Sequence, residues 1–236
     1  MFVKNSFVLW GDSIGKGVVY SPERGRYCLT PERCARLVSD KGIRLTSYAR
    51  FGATIREGFA DFLKEKTEPG SAVLIQYGGN DCDLDWQAVS EHPDVFHDGK
   101  TPLHEFGLLL RRFAQETRAR GGLPVLVLPP PLYSARYFAW VSRGRNQDAI
   151  LRYLGDVEHI GRWHGTYVEA IRAAARDTDS PLLDFNTPFL RAMNYPALMC
   201  EDGIHPSREG QRLMAETALE KLDALAPALL SLGATA

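Results

Sequence analysis

Four short blocks, spread over almost the whole chain, carry side chains able to do acyl-transfer chemistry. Gly11-Asp12-Ser13 follows an apolar run directly, so Ser13 sits on a turn at the end of a strand. A serine hydroxyl is a weak nucleophile until an adjacent base takes its proton. Asp202-Gly203-Ile204-His205-Pro206 offers that base. A carboxylate three residues before an imidazole on a loop can hold one tautomer and stabilise the imidazolium formed during attack. Pro206 biases His205 towards extended backbone, which separates it from the helix that follows. Gly78-Gly79-Asn80-Asp81 supplies an amide donor in Asn80 beside glycines that admit substrate closely, and Gly52 supplies a free N–H in another turn. Such donors stabilise an oxyanion when they are aimed beforehand. Each block alone reads equally as turn or helix-entry chemistry; together they describe nucleophile, base, orienting acid and oxyanion donors.

These residues need a scaffold that brings strand ends to one edge. Short β-branched or apolar runs at Ser6–Trp10, Arg44–Tyr48, Ala72–Tyr77, Pro124–Leu128 and Pro181–Phe185 predict strands, and apolarity that is continuous rather than alternating suggests cover on both faces. Helical periodicity fills the gaps. Thr30-Pro31 predicts a helix start with Gly42 closing it, and Thr54–Glu57 spells a capping box. Thr101-Pro102 opens a helix carrying Leu103, Phe106, Leu110 and Phe113. A fourth helix is predicted over 162–177. A fifth, from about Ser207, buries Met214, Ala218, Leu222 and Leu225. The alternation predicts a doubly wound α/β/α domain over residues 1–236, without repeat or linker. Two long connections, 82–100 and 129–161, lie at strand ends where substrates bind. Trp86, Tyr137 and Trp140 are their candidate substrate-binding residues, and either connection can act as a lid.

Bulk properties narrow the classes. The 236 residues are 44% hydrophobic, enough for a core, and a net charge of −1 gives no electrostatic steering towards nucleic acid. No apolar run nears the roughly 20 residues that span a bilayer, and no secretory leader precedes Gly11. A chain starting near Met1, with no stable membrane association and a cytoplasmic location, is the expectation. Cys28, Cys34, Cys82 and Cys200 form no paired motif, so reduced thiols are expected.

Gly11-Asp12-Ser13-Ile14-Gly15 also spells the nucleophile elbow of α/β-hydrolases. In that fold, however, upstream strands and an oxyanion loop precede the serine, and only about ten residues do so here. The blocks GDS at 11–13, the glycine turn at 52, GGND at 78–81 and DGIH at 202–205 instead resemble the SGNH (GDSL-like) hydrolases, in family order. Where many relatives read like Asn-x-Gly-x-x-Gly, this sequence has Ser47, Ala49 and Gly52. The resemblance implies a flavodoxin-like parallel sheet of order 2-1-3-4-5. It implies Ser13 as nucleophile, His205 as base, Asp202 as its partner, and an oxyanion hole from the Ser13 N–H, the Gly52 N–H and Asn80. It implies a serine esterase without metal or organic cofactor, acting on a small-molecule ester, with a short acyl or O-acetyl group on a carbohydrate as one expected substrate. Lysophospholipase, thioesterase and acyltransferase chemistry are open on the same residues, as is a non-catalytic glycan-binding or scaffolding role. Asp81, Asp83 and Asp85 resemble the start of a calcium loop, but Trp86 stands where its glycine belongs.

Overall fold

The computed structural model describes residues 6–233, except for the side chains of 223 and 225–233. Met1 and the Leu225 side chain therefore lie outside the described set. Five parallel strands form the central sheet: β1 (Ser6–Gly11), β4 (Arg44–Ser47), β5 (Ala72–Gln76), β6 (Leu123–Leu128) and β7 (Leu182–Asp184). They lie in the order β4-β1-β5-β6-β7, which counted within the sheet alone is 2-1-3-4-5. The remaining pair, β2 (Val18–Ser21) and β3 (Arg26–Leu29), makes a separate antiparallel hairpin.

The pleat divides each strand's side chains between two cores. Phe7, Leu9, Leu74, Val125 and Val127 face Val38 of α2 (Cys34–Ser39) and Met214, Ala218 and Leu222 of α10 (Arg208–Gly233). Trp10, Val73, Ile75, Leu126 and Leu128 face the other way. They meet α3 (Ile55–Phe62), α5 (Leu103–Ala119) and α8 (His159–Asp177). Burial on both faces explains why β5 and β6 read as unbroken apolar runs rather than alternating ones.

One local signal holds in the structure and others give way to it. The capping box forms as spelled, with the Thr54 N–H donating to Glu57 at 2.8 Å. Thr30-Pro31, by contrast, does not start a helix. The preceding residues pair with β2, the Thr30 N–H reaches Gly17 O at 3.3 Å, and helix α2 begins only at Cys34. The two long connections are helical rather than open. The first carries α4 (Trp86–Glu91), capped by the Asp85 side chain, and the second carries α6 (Ser134–Val141) and α7 (Gln147–Leu154). These helices bury Leu84, Trp86, Val89, Tyr137, Phe138 and Ile150 in a third core above the sheet edge, so the aromatic residues pack a cap. The rest of the order is α1 (Ser13–Lys16), directly after β1, and α9 (Asn186–Arg191), after β7. Among the described residues no helix is long and apolar enough to cross a membrane.

Gly58 of α3 lies tight against Tyr77, the residue that follows β5. A Cβ there would stand 1.9 Å from the Tyr77 hydroxyl, and Tyr77 is almost wholly buried. Gly58→Ala is expected to cost about 1–3 kcal/mol through overpacking. Thermal unfolding should then show a melting temperature lowered by roughly 2–12 °C; an unchanged transition would contradict the packing described.

Candidate active site

The turn after β1 carries Ser13 at the first position of α1. The Asp12 side chain caps that helix, accepting from the Ile14 N–H at 2.8 Å, and Gly17 closes it in the left-handed region. The turn is clamped from beneath by Gln76, the last residue of β5. Its Oε1 accepts from the N–H groups of Asp12 (3.2 Å) and Gly15 (3.0 Å). A Cβ on either Gly11 or Gly15 would approach that oxygen to 2.6 Å, so the clamp requires both glycines. Gln76 was not legible as a functional residue. Its one signal is a lone amide ending an otherwise apolar strand.

From the far end of the chain, the loop before α10 delivers Asp202 and His205. Asp202 Oδ1 accepts from the N–H groups of Ile204 and His205, both at 3.0 Å, folding the loop back on its own carboxylate. Asp202 Oδ2 lies 2.6 Å from His205 Nδ1, and His205 Nε2 lies 2.9 Å from Ser13 Oγ. Burial pushes the Asp202 carboxyl up, yet the hydrogen bonds and charge of His205 and the two backbone donors hold it below its ordinary value. It is thus an anion able to fix the imidazole with Nδ1 protonated, leaving Nε2 as acceptor for the serine proton. Gly203 occupies a left-handed conformation, and a Cβ there would strike Tyr133 O and Tyr137 N of the cap at about 2.6 and 2.5 Å.

The donors predicted for an oxyanion hole border the same space. Ser13, Gly52, Asn80 and His205 line one cavity of about 150 Å³. Gly52 has φ +74°, which favours glycine, and the turn before it is held by Ser47, whose Oγ accepts from the Ala49 N–H at 3.3 Å. Asn80 Nδ2 donates one hydrogen to Ala53 O at 3.2 Å, leaving its second directed elsewhere. Asp81 ties the two loops together. Its carboxylate accepts from Ile55 N at 2.9 Å and from Gly78 N at 3.0 Å.

Two aromatic residues that sequence reasoning missed flank the imidazole. The Tyr27 ring from β3 lies 5.0 Å from His205, and the Phe51 ring lies parallel to it at 6.2 Å. Nothing in the sequence pairs Tyr27 with residue 205, because the contact depends on the unforeseen hairpin. Trp140 does not line the cavity. It packs edge-on against Tyr20 at 4.8 Å, with the Arg143 guanidinium 4.1 Å from its ring, and supports the hairpin from behind. Trp86 and Tyr137 line a second, larger cavity of about 310 Å³ beneath the cap, which shares Gly79, Asp83 and Ile204 with the first. Asp81, Asp83 and Asp85 serve separate partners: backbone N–H groups, the Trp86 indole and the α4 N-terminus. They do not converge on one point. Burial raises the thiols of Cys34, Cys82 and Cys200 above their ordinary value, so these three are poor nucleophiles.

The model of the GDSL-like lipase/acylhydrolase family matches residues 9–213, a span containing all four blocks. No curated protein matches the chain. Among solved structures it is similar to a lipase/acylhydrolase from Enterococcus faecalis, with 17% identity and TM-score 0.64 over 93% of this chain and 96% of that one. It is also similar to the psychrotrophic esterase EstA from a Pseudoalteromonas species (18%, TM-score 0.60, 93% and 97%). An acetyl xylan esterase from Geobacillus stearothermophilus aligns comparably (20%, TM-score 0.61, 92% and 93%). At these identities the structural likenesses speak for the fold.

Two outcomes follow from the clamp and from the buried acids. Gln76→Met strands the Asp12 and Gly15 N–H groups, at about 1–3 kcal/mol each. Urea unfolding should register that loss, together with at least a tenfold fall in any Ser13-dependent turnover. Burial raises Asp12 from 3.8 to about 6. The fold therefore retains a proton that the unfolded chain releases, and stability is lost as pH rises from about 4 to about 6. Asp12→Asn removes that titration while keeping an acceptor for Ile14. Its stability relative to wild type should improve by up to about 3 kcal/mol across that window and stay level above it. A pH-independent difference would refute the assignment.

Proposed function

The chain belongs to the GDSL-like lipase/acylhydrolase family, and from that premise we propose that it hydrolyses carboxylic esters through an acyl-enzyme on Ser13. The observation that carries this is the unbroken, buried chain from Ser13 Oγ through His205 to Asp202, at 2.9 and 2.6 Å.

His205 Nε2 takes the Ser13 proton as Oγ attacks the ester carbon. The carbonyl oxygen becomes an oxyanion facing the Ser13 and Gly52 N–H groups and the free Asn80 hydrogen. Asp202 stabilises the imidazolium, which then protonates the departing alcohol oxygen as the carbon–oxygen bond breaks. Water enters, His205 takes its proton, and collapse of the second tetrahedral intermediate releases the acid and restores the Ser13 hydroxyl. No step calls for a metal or organic cofactor. Tyr27, whose phenol is held protonated by burial and by nearby Asp202, offers His205 a neutral neighbour.

The reading covers small-molecule acyl esters in general. The acetyl xylan esterase among the structural neighbours parallels the O-acetyl expectation. The capacity of the cavity beyond Gly79 bears on the size of the acyl group.

A short p-nitrophenyl ester should be turned over with a burst, and Ser13→Ala and His205→Ala should each lower kcat by roughly 10³-fold or more. A fluorophosphonate probe should label the folded protein at Ser13. Undiminished turnover by Ser13→Ala excludes this nucleophile, and failure of the probe to label favours the non-catalytic glycan-binding or scaffolding role. Product analysis with added sugar acceptors separates hydrolysis, giving free acid, from acyl transfer, giving acyl-sugar.

A further inference from the structure

We propose that the larger cavity beneath the cap receives the acyl part of the substrate, and that the preferred esters carry apolar acyl chains of roughly eight to ten carbons rather than acetyl. This rests on the reading of Ser13 as nucleophile.

Position is the first argument. The two cavities meet at Gly79, Asp83 and Ile204, and Gly79 places no side chain at the threshold beside the oxyanion donor Asn80. Direction is the second. The alcohol oxygen must face His205 Nε2 to be protonated, and His205 is flanked by Tyr27 and by Phe51, the latter 55% exposed. Neither ring lines the larger cavity. The alcohol thus departs along an open rim, and the acyl substituent is turned across Gly79 under the cap.

Chemistry is the third. Leu84, Leu132, Leu154 and Ile160 form apolar wall, and of the polar groups among them Asp83, Trp86, Tyr137 and Trp163 are already paired, with the His159 ring the exception at the edge. Asp83 accepts from the Trp86 indole at 2.8 Å, from the Tyr137 hydroxyl and from Lys100 at 2.8 Å. The Trp163 indole donates to Cys82 O at 2.7 Å. Sugar hydroxyls would lose water there for little return, whereas methylenes gain about 0.8 kcal/mol each on burial. Capacity is the fourth. The cavity measures about 310 Å³, about twice an apolar cavity of roughly 150 Å³ that takes up benzene, so it suits on the order of ten carbons. At its mouth Phe96 is 74% exposed, an apolar lip beside the exposed Val95.

The test is kcat/KM over p-nitrophenyl esters from acetyl to palmitoyl. It should rise about two- to fourfold per methylene up to roughly ten carbons and fall beyond about twelve. A series that is flat, or highest at acetyl, overturns the proposal. Methyl octanoate should be preferred to octyl acetate, and the reverse order assigns the cavity to the alcohol and overturns the acyl assignment. Leu154→Trp should lower the octanoyl-to-acetyl ratio at least tenfold. Phe96→Ala, at an exposed position that spares folding, should lower it about threefold; an unchanged ratio in Phe96→Ala and in folded Leu154→Trp counts against the cavity. Decanoate binding, followed by tryptophan fluorescence in Ser13→Ala, reports on the cavity without turnover. Binding that Leu154→Trp abolishes supports the acyl site even if Ser13 proves not to be the nucleophile. No binding, with Ser13-dependent turnover intact, overturns the cavity assignment alone.

Discussion

The site depends on one carboxamide oxygen. Gln76 Oε1, at the end of the central strand, accepts from both sides of the turn that presents Ser13. A sheet edge ends in unpaired N–H and C=O groups, and a four-residue helix cannot satisfy its own first donors. The glutamine supplies the missing acceptor from below, so the serine is held by hydrogen bonds rather than by bulk. Everything above the sheet edge builds on that fixed point. The His205 loop approaches a serine that is already placed, and Asp81 fixes the two donor loops to each other through Ile55 and Gly78.

This design accepts a cost in buried charge. Burial raises Asp12 and Asp81 alike to about 6, well above an ordinary carboxyl. Each does positional work that an apolar side chain cannot do, because its partners are backbone N–H groups. Asp202 is equally buried but has the imidazole beside it, and its carboxyl lies below the ordinary value. Three buried aspartates thus divide by partner: two hold loops, and one keeps its charge for a neighbouring imidazole.

Much of this was legible before any fold was drawn, and the limits are physical. The inner strands β1, β5 and β6 could be read because burial on both faces demands continuous apolar residues, while the edge strands β4 and β7 are only partly covered. The four blocks could be read because turn glycines and chemically useful side chains coincide in them. Local signals failed where a long-range contact overrode them. Thr30-Pro31 has the spelling of a helix start, but strand pairing of Arg26–Leu29 with Val18–Ser21 delays the helix to Cys34. The hairpin shows no alternation, since adjacent Val18 and Val19 are both buried and adjacent Tyr27 and Cys28 are both partly covered, and Tyr27 was invisible as a neighbour of His205 for that reason. Trp140 shows the reverse limit. An aromatic on a long connection suggested substrate contact, whereas it braces Tyr20. Tyr137 lies on the same helix, α6, but on the face that turns into the cap core.

The cap has a property that the sheet lacks. Its core, built around Trp86, Val89, Tyr137 and Ile150, shares with the sheet's cores only the partly buried Trp163 at the base of α8. The cap nevertheless touches the His205 loop, through Gly203 against Tyr133 and Tyr137 and through Ile204 against the cap core, whereas the bonds that hold the Ser13 turn come from the end of β5. On the acyl-site proposal, substitutions deep in the cap would change which esters fit while leaving the Gln76 bonds that hold the serine turn in place.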